Sequence, residues 1–154
     1  FTDSPVWISG IGQKTNSASF TKNELTTLSS SVMAANDAYK MAKITSHEID
    51  VAEIHDAFSI CELMAVEDLS LTEKNTSAEY VRSLFNTEDR KINPRGGLIG
   101  AGHPLGATGI SQIVEITQQL QNNAKNRQIS SAKKGLVHNM SAAATSSSVL
   151  VLEL

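Results

Sequence analysis

Cysteine is almost missing from this sequence: Cys61 is the only one in 154 residues. An intrachain disulfide is therefore impossible, a zinc site built on paired thiolates is excluded within the chain, and a reducing, intracellular setting is expected. An excess of one charge is missing too. Thirteen Lys and Arg against sixteen Asp and Glu leave a net charge of -3, so nothing in the balance points to nucleic acid. No apolar run approaches the roughly 20 residues that cross a bilayer. The opening FTDSPVWISG has neither the charged start nor the small-residue cleavage site of a secretory signal, and without Met it reads as cut from a longer chain. A cytoplasmic protein is expected, with no membrane and no polyanion as partner. There is no repeated unit and no low-complexity tail.

What is present fits one domain over residues 1–154, with 40% hydrophobic and 19% charged residues. PVWISGIG is a short apolar run closed by glycines and predicts a buried strand. Leu28, Val32, Ala35, Ala38 and Ala42 recur at helical spacing and leave Asn36, Asp37 and Lys40 on the other faces. EIDVAEIHD (48–56) predicts a second strand and AFSICELMAVEDL a helix behind it, with a further short helix over SAEYVRSLF. INPRGGLIGAGHPLGATG is too rich in Gly and Pro to be regular throughout. Ile110, Ile113, Val114, Thr117 and Leu120 mark one face of the next helix, and GLVHNMSAAATSSSVLVLEL offers two strands joined by a Ser/Ala-rich connection. The order predicts an α/β fold with a mostly parallel five-stranded sheet covered on both faces, its last two strands antiparallel.

Three polar points interrupt this apolar pattern, each at a predicted junction of strand and loop, where such sheets gather functional groups. His103 precedes a helix expected to begin near Gly106 or Ala107; the helix's orphan N–H groups and positive end favour a neutral imidazole, able to accept a proton. A glycine-rich connector with His103 as a cap explains the same residues, and spacing alone does not choose between them. The run is no Walker loop, having no Gly-Lys-Ser/Thr, and no full dinucleotide fingerprint. His55 and Asp56 break the run between VAEI and AFSI; Asp56 could simply cap the following helix. His138 and Asn139 interrupt the strand in GLVHNM, again with a satisfied strand-end pair as the plain alternative. Together the three points predict one cleft. His47 lies in a polar loop and reads as surface. No histidine pair has the helical spacing of metal ligands, and no metal is expected.

HDAF, NPRGGLIGAGHPLGATG and HNMSAAATSSSVLVLEL, in this order and spacing, resemble the C-terminal half of thiolases, in particular the archaeal and sterol-carrier-protein-type branch. The resemblance implies one of two three-layer βαβαβαββ halves and, for the whole enzyme, Claisen condensation of acyl-CoA or its thiolytic reverse as an acetyl-CoA acetyltransferase. It casts His103 as the histidine that activates a nucleophilic cysteine of the other half, and His55 as part of an oxyanion hole. Asn93, Gly97, Gly102 and Asn139 fall in the substrate-binding wall. Coenzyme A thioester enters as substrate and no cofactor is implied. Implied partners are the protein's own N-terminal thiolase domain, a second copy in a homo-oligomer, a hydroxymethylglutaryl-CoA synthase and a small OB-fold protein. Both positions at which the family carries a proton-shuttling cysteine lack it: one holds Met140, followed by Ala142, Ala143 and Ala144 in place of glycines, and the other holds Ala57. Cys61 matches neither. Proton transfer would then pass to His138 or His55; the alternative is a non-catalytic subunit that binds or channels acyl-CoA.

Overall fold

The computed structural model describes residues 3–87 and 90–154. Its sheet contains β1 (Trp7–Thr15), β2 (Val51–Glu53), β3 (Lys134–Met140) and β4 (Ser146–Glu153) in the order β1-β4-β3-β2. β4 is antiparallel to both neighbours, and β2 runs parallel to β3. The expected five-stranded, mostly parallel sheet is thereby corrected to a four-stranded mixed one. The place of a fifth strand is taken by a single parallel bridge from Ala52 to Ile92. Pairing stops there because Asn93 turns to φ 49 and Pro94 has no N–H to offer.

Side chains alternate along the strands, and both faces are covered. Ala52, Leu136, Val149 and Val151 join Ala34, Ala35 and Ala38 of α1 (Ser29–Ala42) and Ala65, Val66 and Leu69 of the α2 region (Ser59–Asp68 and its C-cap). Val51, Val137 and Leu152 pack on the opposite face against Ile116 and Leu120 of α5 (Thr108–Leu120). Between these lie α3 (Ser77–Leu84) and a single short turn of helix, α4 (Gly97–Ala101), inside the segment read as irregular. β1 is an edge strand, not a buried one: Trp7, Ile8 and Ile11 are exposed.

The predicted face of α5 is also corrected. Ile110 and Val114 are exposed, while Gln112, Glu115 and Gln119 are buried with Ile116 and Leu120. Those polar side chains go inward because each finds partners there. The Gln112 amide donates to the His138 carbonyl at 3.2 Å, Glu115 takes the Arg127 guanidinium through two hydrogen bonds of 3.2 and 2.8 Å, and the Gln119 amide oxygen accepts the Ile129 N–H at 2.8 Å. Buried polar groups with full partners cost little, so hydrophobic period alone misassigns this helix.

α1 lies unusually close to β1. A methyl group on Gly12 would overlap the Ala34 carbonyl, and one on Gly10 the Ala38 carbonyl. Both obstacles are backbone and cannot swing aside. Gly12→Ala should therefore destabilise the protein by on the order of 3 kcal/mol, read from urea denaturation; a loss near zero would mean that α1 is not seated as described.

Candidate functional site

The site is built at the end of β2. Val51, Ala52 and Glu53 are fully buried, and Ile54, His55 and Asp56 continue the buried run without strand pairing. Three bonds fix this stretch to the segment beginning at Asn93. The Asn93 amide oxygen accepts the Ile54 N–H at 2.8 Å, Glu53 accepts the Arg95 N–H at 3.3 Å, and Asp56 accepts the Leu98 N–H at 2.6 Å. Asp56 thus caps α4 across the loop. The helix that follows it in sequence, α2, has Phe58 at its N-cap and no side-chain cap. Gly97 is required by two constraints, a φ of +63 and the Asp56 carboxylate, which occupies the volume of any β-carbon.

From α4 the chain turns at Gly102, φ +92, into the exposed His103. The His103 Nδ1 lies 2.7 Å from the Thr108 hydroxyl, which also points at the Pro104 carbonyl at 3.2 Å. With the hydroxyl proton on that carbonyl, Nδ1 carries the ring proton and Nε2 keeps its lone pair. The His103 and His55 rings stand edge to face, centroids 5.0 Å apart and planes at 87°. Burial, and secondarily the His103 imidazole, pushes His55 down to about 4, and its Nδ1 is buried with no partner.

Both rings line a cleft of about 650 Å³. Its apolar wall includes Ala57, Phe58, Leu105, Met140 and Ala142; Asn139, Ser141, Ser146 and Ser148 supply the polar side. Asn139 donates to Gln112 at 3.1 Å. His138 is not among the lining residues. It is fully buried, and burial pushes it down to about 3. Asn93 sits behind the cleft, against a second hollow of about 270 Å³ shared with Asp56 and Phe85. The structure therefore brings His55, His103 and Asn139 together on the cleft, with Gly102 next to His103 in the chain, and leaves Asn93, Gly97 and His138 outside its lining. Thr108, Gln112 and the serines were not legible beforehand; a hydroxyl five residues beyond His103, inside the first helical turn, was the one available sign. Among the described residues no group of three or more His, Cys, Asp or Glu could hold a metal ion, and no helix is long and apolar enough to cross a membrane.

The class is an α/β domain on a four-stranded mixed sheet, with His55 just beyond β2 facing His103 from the loop between α4 and α5. A family model described as thiolase C-terminal domain-like matches residues 12–154, and the chain belongs to that family. It is 41% identical over 143 residues to an acetyl-CoA acetyltransferase of Methanothermobacter thermautotrophicus, covering 91% of this chain and 37% of that protein. It is 45% identical over 109 residues to sterol carrier protein 2 of Homo sapiens, covering 70% of this chain and 20% of that one. The chain therefore spans well under half the length of these curated relatives. Among solved structures, the Ltp2-ChsH2(DUF35) aldolase superposes with a TM-score of 0.82 over 97% of this chain and 40% of its own; at 18% identity this shows the shared fold.

The depressed histidines make a pH prediction. Between about 6.5, the ordinary imidazole value, and about 4, the unfolded chain binds a proton that folded His55 excludes. The stability from His55 is thus complete above about 6.5 and lost as pH falls. Glu53, raised to about 7 chiefly by burial, works in the opposite sense between its ordinary 4.5 and 7. Comparing His55→Asn with the parent cancels Glu53: the urea midpoint of the variant should fall less between pH 7 and pH 4.5. Identical pH dependence would remove His55 as a contributor.

Proposed function

We propose that the chain is the C-terminal half of an acetyl-CoA C-acetyltransferase, a thiolase that joins or cleaves acyl units as CoA thioesters. The observation that carries this is the edge-to-face pair of His103 and His55 on one cleft, with His103 Nδ1 held by Thr108. In this reading His103 Nε2 takes the thiol proton of a cysteine on the N-terminal thiolase half as its sulfur attacks the thioester carbonyl; CoA leaves as its thiol on regaining the proton. His55, kept neutral by burial, donates a hydrogen bond to the oxygen on which negative charge develops, a large catalytic effect where water is excluded. Coenzyme A thioester is substrate, and no cofactor enters. A homo-oligomer, a hydroxymethylglutaryl-CoA synthase and an OB-fold protein are the partners this reading carries, and the cytoplasm its compartment.

Two features weigh on the α-proton step. Ala57 and Met140 both line the cleft, and neither side chain can carry a proton. His138 has both ring nitrogens engaged in buried contacts, at 2.9 Å to Ser31 and 3.5 Å to the His55 N–H, which supports assigning the proton to the cleft pair instead. The same two empty positions favour the second reading, a thiolase-fold subunit that binds acyl-CoA without condensing it.

In the natural protein carrying this chain, His103→Ala should lower acetyl transfer from acetyl-CoA to the nucleophile by on the order of a hundredfold or more. Unchanged acylation kinetics would sink the assignment of His103. If the parent binds acetyl-CoA and forms no covalent acetyl group, the binding subunit is the correct reading.

A further inference from the structure

His138, Ser31, Ser147 and Ser30 are buried together, each at most 1% exposed. The His138 Nδ1 faces the His55 backbone N–H at 3.5 Å, and its Nε2 lies 2.9 Å from the Ser31 hydroxyl. Ser31 is 2.9 Å from Ser147, Ser147 is 2.7 Å from Ser30, and Ser30 donates to the Ala144 carbonyl at 2.8 Å. Both ends impose a direction. A backbone N–H can only donate, so Nδ1 accepts and the ring proton sits on Nε2. A carbonyl can only accept, so Ser30 gives it its proton and must itself receive from Ser147, which receives from Ser31, which receives from His138. The two ends, fixed independently, demand the same order, and every hydroxyl gives one bond and takes one.

We propose that His138 is a positioning residue: through this one-way chain of three serine hydroxyls it holds the strand end carrying His55 to the Ala142–Ala144 turn, whose Ala142 lines the same cleft. Ala143 and Ala144 sit at φ 57 and 52, where alanine does not stay unaided, and the Ser30 bond to the Ala144 carbonyl holds that turn. A protonated ring would set a second N–H against the His55 amide and break the order at its source. The chain spans β3, α1 and β4, so His55 and the turn move only together. This deepens the thiolase reading and rests on it where turnover is concerned, although the hydrogen-bond order does not.

The test uses the natural protein carrying this chain, labelled with 15N-histidine. Two-bond nitrogen–proton correlations should show His138 as the Nε2–H tautomer at pH 7; the Nδ1–H form or an imidazolium overturns the proposal whether or not the protein is a thiolase. Ser30→Ala, which touches neither histidine, should shift the imidazole nitrogen signals of His138 and His55; unmoved signals overturn it. In turnover of acetyl-CoA the same variant should lower kcat on the order of tenfold with KM within about twofold, because a misplaced group costs rate more than binding. A variant that loses thermal stability alone, with kcat intact, makes the chain merely structural and also overturns the proposal. Ser147→Ala, removing the middle hydroxyl, provides the same readouts where Ser30→Ala does not fold. A parent with no turnover defeats the thiolase reading and leaves the two nitrogen readouts to decide this one.

Discussion

The carboxylate of Asp56 on the first turn of α4 is the constraint on which the rest of the site depends. Asp56 follows His55 directly, and Leu98, whose N–H it accepts, stands five residues before His103. That one charge-assisted bond, of a kind worth about 1.5–3 kcal/mol, therefore sets the separation of the two imidazoles. Gly97 admits the carboxylate, and no other residue type could. Asn93 on Ile54 and Glu53 on Arg95 run alongside it. Together these bonds do what a fifth strand would have done: they fasten a segment along β2, but through side chains, so that the backbone beyond Ile92 is free to turn toward the cleft. A continuous strand there would have carried the loop past His55.

The same economy explains which parts of the fold were legible in the sequence. Strand pattern gave away β3 and β4, and alanine spacing gave away α1, because these elements bury apolar surface in the period of their own geometry. β2 reads as nine residues and pairs over only three, Val51–Glu53, since the polar pair at its end is buried by side-chain bonds. On α5 the apolar residues Ile110 and Val114 face outward and three polar ones face in. Their partners, Asn139, Arg127 and Ile129, lie elsewhere in the chain, and no local pattern announces them. Apolar Ile110 and Val114 are left on the surface as a consequence, as are Leu105 and Ile99 nearby in sequence.

The histidines divide along the same line. His103 and His55 were readable as a pair because each sits where a strand or helix ends and glycine or acid breaks the pattern. His138 carried the same outward sign but lies buried behind the cleft lining, in the positioning role proposed for it. What distinguishes it is the pairing of both its nitrogens, one with the Ser31 hydroxyl and the other with the His55 backbone N–H, both far away in sequence, and such pairing is a property of the folded chain alone. An imidazole buried with both nitrogens engaged is neutral and fixed, suited to hold its neighbours and unsuited to carry a proton between reactants.

That leaves the question of which imidazole does what. A proton carrier works best when its pKa lies near the working pH, whereas a hydrogen-bond donor to a developing oxyanion works best if it never gains or loses a proton at all. At about 4, His55 would be a poor base at neutral pH and a good neutral donor. His103 is the only other residue along the cleft, among those described, with a basic nitrogen. Its Nδ1 is anchored on Thr108 and its other nitrogen is free. In the proposed thiolase reading, with the Ala57 and Met140 side chains carrying no exchangeable proton, the thiol proton and the α-proton would both pass through His103 in turn, with His55 holding the charge between. In that reading a single proton carrier serves both steps one after the other, and the hydrogen bonds from Asp56, Asn93 and Thr108 that seat the two imidazoles hold their geometry from one step to the next.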